Sequence, residues 1–88
     1  MFYKIIENYI NKLSKNDILI FGRNNNIELS NYELNYIFNE VKNNYKILLS
    51  NDFNKVFLKA EKHIESNKLK KIYNLFLDYR NKYQSYLN

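Results

Sequence analysis

"SNYELNYIFNEVKNNYKILL", Ser30–Leu49, decides the fold of this chain. Leu34, Ile37, Phe38, Val41, Tyr45 and Leu48 recur at intervals of three and four, which places them on one face of an α-helix. Ser30 is followed three residues later by Glu33, the pattern of a capping box, in which each residue's side chain binds the other's backbone N–H. The pattern predicts a helix from Asn31, with a break near Lys42–Asn44.

The same spacing continues outward. Phe2, Ile5, Ile6, Tyr9, Ile10 and Leu13 predict an amphipathic first helix. Ser14 and Asp17 resemble a second capping box, opening a short helix through Phe21. Gly22 stands just past the last apolar residue, where helices commonly end in a left-handed residue. It is the only glycine. A phosphate-cradling loop needs several, so Ile20–Glu33 reads as a joint between helices. Ile27 and Leu29 then point back from an extended linker.

Beyond Leu49, Ser50–Asp52 is expected to cap a fourth helix bearing Phe53, Val56, Phe57, Ala60 and Ile64. Glu65–Asn67 is the next break. The last helix is expected from about Lys68. Its stripe of Leu69, Ile72, Phe76, Tyr79, Tyr83 and Tyr86 is too short for a long coiled coil and fits a bundle. The sequence therefore predicts an all-α fold, a compact bundle of about five helices with short polar loops, as a single domain over residues 1–88. The third and last helices are expected to supply most of the core.

With 88 residues and no cysteine, the chain must fold by apolar packing alone. Nine tyrosines and six phenylalanines make that feasible. Asn, Lys, Ile, Tyr and Phe, all with AT-rich codons, make up well over half of it, so each lysine or tyrosine carries less functional weight than usual. The start, "MFYKIIENYI", is interrupted by Lys4, Glu7 and Asn8 and forms no signal-peptide apolar region. The longest apolar run is "ILIF", Ile18–Phe21, whereas a spanning helix needs roughly 20 residues. A cytoplasmic protein without membrane association is expected.

Catalytic residue types are scarce. His63 is the only histidine, and the absence of cysteine excludes Cys–His pairing. On a helical wheel His63 falls between the apolar stripe and the lysine face, and a structural role is expected. No pair of acids stands out as an acid–base couple. The chain reads as a non-enzyme, with no cofactor, metal or small-molecule substrate expected.

Charge is more informative. Residues 1–52 carry six basic and six acidic residues, and residues 53–88 carry eight and three. The whole excess of +5 therefore lies in the last two helices. Lys55, Lys59 and Lys62 form one line along a helix, and Lys68, Lys70 and Lys71 follow. These six are the candidate face for an anionic partner such as nucleic acid. With only Arg23 and Arg80 beside the lysines, base-specific readout is disfavoured. Tyr73, Leu77 and Arg80 fall to one side of the last helix and form a second candidate surface, within the bundle or on a partner.

"INKLSKNDILIFGRNNNIELSNYELNYIFNEVKNNYKILL", Ile10–Leu49, with "KIYNLFLDYRNKY", Lys71–Tyr83, resembles a small all-helical family of unknown function from low-GC Gram-positive bacteria. The resemblance implies a short helical protein and supplies no functional residue. Ser14–Val41 is also similar in outline to SAP-like helix–linker–helix modules, which bind DNA. Those modules carry basic residues around the second helix, where this chain has Glu28, Glu33 and Glu40. Any nucleic-acid contact is expected on the C-terminal helices instead. The expected function is a non-enzymatic interaction module with a protein partner or self-association, and the alternative is a sequence-independent nucleic-acid binder.

Overall fold

Five helices follow one another in the computed structural model, which describes residues 2–82, with side chains from Lys4 onward. They are α1 (Phe2–Lys12), α2 (Lys15–Asn24), α3 (Asn31–Leu48), α4 (Phe53–Ala60) and α5 (Ser66–Lys82), and no strand occurs among the described residues. α3 packs against α1, α2 and α4, and α5 packs on α4. The result is an all-α bundle with a radius of gyration of 12.7 Å.

Both capping boxes form. Ser14 N–H donates to Asp17 Oδ2 at 2.9 Å, and Asp17 N–H donates to Ser14 Oγ at 3.1 Å. Ser30 N–H donates to Glu33 Oε1 at 3.0 Å, and Glu33 N–H donates to Ser30 Oγ at 3.1 Å. Each box satisfies N-terminal amides that a helix otherwise leaves unpaired. The break foreseen at Lys42–Asn44 is a kink at Asn44, whose φ of −126° and ψ of 18° lie outside the helical range.

The end of α2 departs from expectation. The helix runs on to Asn24 with Gly22 inside it, and the left-handed residue is Asn26, at φ 61°. Asparagine tolerates that region because its short polar side chain bonds locally. Gly22 serves close approach instead. Ile27 N–H donates to Gly22 O at 2.7 Å, and a Cβ on Gly22 would lie 2.8 Å from Ile27 O. The chain turns back so tightly that only glycine fits beneath it.

α4 is also shorter than its apolar stripe suggested. It ends at Ala60, so His63 and Ile64 lie in the turn to α5 rather than on a helix. Asp52 occupies its N-cap without a side-chain cap bond. Ser50 closes that turn, donating to Ile47 O at 2.6 Å and accepting from Asp52 N–H at 3.0 Å. α5 begins at Ser66, slightly earlier than expected. Tyr83 and Tyr86 of its stripe lie outside the described residues.

The core is distributed differently from the helix stripes. Among the described residues, the buried apolar ones are Ile10, Ile27, Leu29, Ala60 and Ile64. None belongs to α3 or α5, whose apolar side chains are half-buried or, like Tyr79, exposed. A domain this small has little interior. Its deepest places are the gaps between helices, and linker residues such as Ile27 plug them. Phe53 and Phe57 pack on Phe76, each with ring centroids 5.2 Å apart, joining α4 to α5.

A candidate interaction surface on α4 and α5

α4 and α5 leave an open groove of about 500 Å³ between them. Phe57 and Leu58 supply apolar lining from α4, and Leu69 and Tyr73 supply it from α5. Asn54, Glu61, Ser66 and Lys70 complete the wall. Tyr73 meets Phe57 edge-on at 4.9 Å, and its hydroxyl donates to Asn54 Oδ1 at 3.0 Å, so its ring and tip are both fixed. Leu58 is 67% exposed although it sits on a short, well-packed helix.

A clasp at Glu33 ties the start of α3 to the α4–α5 turn and to the start of α5. Glu33 is buried at 6% exposure. Its Oε2 accepts Glu65 N–H at 3.0 Å, and its Oε1 accepts Lys68 Nζ at 2.8 Å as well as Ser30 N–H. One carboxylate thereby caps α3 and fastens both the α4–α5 turn and the first turn of α5. Burial pushes the Glu33 carboxyl up, but the Glu65 amide, the Lys68 ammonium and the Ser30 amide together outweigh it and hold the pKa at about 2. The Lys68 ammonium is raised, chiefly by its hydrogen bond to Glu33.

The six candidate lysines do not act alike. Lys68 is committed to Glu33, and Lys59 pairs with Glu40 at 3.2 Å. Lys71 donates to Asn26 O at 3.3 Å. Lys55, Lys62 and Lys70 are exposed, with no ion pair or hydrogen bond among the described residues. Lys70 lines the groove, Lys55 stands one turn before Leu58, and Lys62 follows just after α4.

The candidates Tyr73, Leu77 and Arg80 separate in the same way. Tyr73 forms part of the groove wall. Leu77 is half-buried. Arg80 is engaged within the chain: it donates to Leu48 O and Asn51 Oδ1, both at 3.3 Å, and its guanidinium stands 4.6 Å over the Phe53 ring. It therefore satisfies a free carbonyl at the end of α3.

His63 is built into a stack. Its ring lies 4.2 Å from that of Tyr36, at 17° between planes, and Nδ1 is hydrogen-bonded to the Tyr32 hydroxyl. Burial first, and the Glu40 carboxylate second, push the Tyr36 phenol up. No cluster of His, Cys, Asp and Glu suited to a metal occurs among the described residues. No helix there is long and apolar enough to cross a membrane.

Leu58 is the apolar groove residue the sequence reading passed over. Its signal was present: a leucine one position off the Phe53–Val56–Phe57–Ala60 stripe, among Lys55, Lys59 and Lys62. Compared with family models, curated proteins and solved structures, the chain matches none of them.

Proposed function

We propose that this chain is a non-enzymatic interaction module that engages a partner protein, or a second copy of itself, through the α4–α5 groove. The observation that carries the reading is Leu58, a large apolar side chain left 67% exposed beside an apolar trough. An isolated exposed leucine is ordinary, but one continuous with Phe57, Leu69 and Tyr73 makes a contact surface. The absence of cysteine agrees with a reducing, cytoplasmic setting. The likeness to a helical family of unknown function adds no residue to this reading.

Selection of a random peptide library against the wild type, with Leu58→Gln as the counter-target, tests it. Peptides enriched on the wild type and lost on the variant support the module. Enrichment indifferent to Leu58, or none, rejects it.

A second reading, sequence-independent nucleic-acid binding, draws support from Lys55, Lys62 and Lys70, which have no ion-pair partner among the described residues. Fluorescence anisotropy with short DNA and RNA across a salt series tests it. Salt-sensitive binding that is lost when these three become Gln favours it, and no binding at low salt removes it.

A further inference from the structure

We infer that the α4–α5 groove receives an acidic amphipathic helix from another protein. This rests on the groove being a docking surface and adds what occupies it. The argument is one of charge complementarity around an apolar trough.

The trough's lining is apolar at Phe57, Leu58, Leu69 and Tyr73. Two helices side by side form a furrow into which a third helix lays its ridge of side chains. The apolar stripe of an incoming helix, at intervals of three and four, suits that furrow.

The surroundings select the sign of the partner. Lys70 is in the lining itself, Lys55 stands on α4 one turn before Leu58, and Lys62 lies in the turn just after α4. All three are exposed and unpaired among the described residues. The nearby lysines that do have acids, Lys59 and Lys68, are paired with Glu40 and Glu33. Among the described residues, Glu61 is the only acid lining the groove. Carboxylates flanking the partner's stripe would therefore meet Lys70 on the α5 wall and Lys55 beside Leu58 on α4.

The same charges argue against the other occupants. A two-fold dimer through this face would bring two copies of the same lysine-bearing face together, and their like charges repel. Nucleic acid would leave Leu58 and Phe57 uncovered. Among the described residues it would also find only three unpaired lysines here, few cations with which to neutralise phosphates.

The test uses two designed peptides of about 18 residues, roughly five helical turns, with an identical leucine stripe. One carries Glu along both borders of the stripe and the other carries Lys. Each is titrated by fluorescence anisotropy into the wild type, Leu58→Gln, and the Lys55/Lys62/Lys70→Gln triple variant, with duplex DNA as a third probe. All three proteins are checked for unchanged helicity by circular dichroism.

The inference expects the acidic peptide to bind the wild type at least about tenfold more tightly than its basic twin, equivalent to 1.4 kcal/mol. That preference should vanish in the triple variant, and binding of both peptides should weaken in Leu58→Gln. Equal binding of the twins, weakened by Leu58→Gln, overturns the acidic partner and leaves the groove as a docking surface. Binding of neither twin overturns the acidic helix, while the library selection decides the groove independently. DNA binding lost in the triple variant but unaffected by Leu58→Gln, without peptide binding, replaces it with the nucleic-acid reading.

Discussion

Glu33 and Lys68, 35 positions apart, meet at 2.8 Å between the first turns of α3 and α5. The pair is not a surface decoration. The same carboxylate caps its own helix and holds the backbone of the α4–α5 turn, so three elements depend on one side chain.

Glu33→Gln should destabilise the fold by about 1–3 kcal/mol at neutral pH, because buried amides and a cation lose a charged acceptor. Urea denaturation followed by circular dichroism measures it. Lys68→Gln should lower the midpoint less, since Glu33 would keep its two backbone donors. An equal or larger effect of Lys68→Gln would show that the clasp depends mainly on the ion pair.

The Glu33 carboxyl also sets an acid limit. Its pKa falls from 4.5 to about 2 on folding. The stability it contributes is therefore full above the unfolded value and is lost as pH falls through the folded one. The difference between wild type and Glu33→Gln should be constant above about pH 5.5 and shrink steadily toward pH 2. A difference that did not change over that interval would contradict the assignment.

Gly22→Ala tests the close approach under Ile27. Within a helix, alanine is favoured over glycine by about 1 kcal/mol. At Gly22 the added Cβ would stand 2.8 Å from a backbone oxygen, which cannot swing aside as a side chain does. The variant should be destabilised by about 1–3 kcal/mol, the usual cost of overpacking. A more stable variant in thermal melts would mean the turn gives way freely.

Leu58 and Leu77 form a matched comparison. Leu58→Gln alters an exposed side chain and should change stability by no more than about 0.5 kcal/mol. Leu77→Lys places a charge at a half-buried position and should lower the melting temperature. If Leu77→Lys melted like the wild type, Leu77 would return as a contact residue.

Much of this fold was legible in the sequence. The capping boxes at Ser14 and Ser30, the kink at Asn44 and the return of Ile27 and Leu29 follow from local chemistry, and local chemistry is written in adjacent letters. What was hidden depends on distant partners. Nothing near Lys68 shows that its charge is consumed by Glu33, or near Arg80 that it reaches back to Leu48. The six-lysine face thus looked uniform although half of it is engaged within the chain. Gly22 misled for a related reason: glycine marks both left-handed turns and tight crossings, and only the path of Ile27 tells them apart. Leu58 was visible but overlooked, because an apolar residue in a charged row looks like a flaw in the row.

The two tethers on α5 have one further consequence. Lys68 fixes its beginning to the start of α3, and Arg80 fixes its other end to the finish of α3. α5 is thus a strut pinned at both ends, running in the same direction as the helix it braces. Each residue added to a helix advances it by about 1.5 Å and turns it by about 100°. One insertion between the two pins would swing Arg80 away from Leu48 while Lys68 stayed in place. This stretch should accept changes of residue type at its exposed positions but no change of length, which makes α5 a ruler for the whole domain.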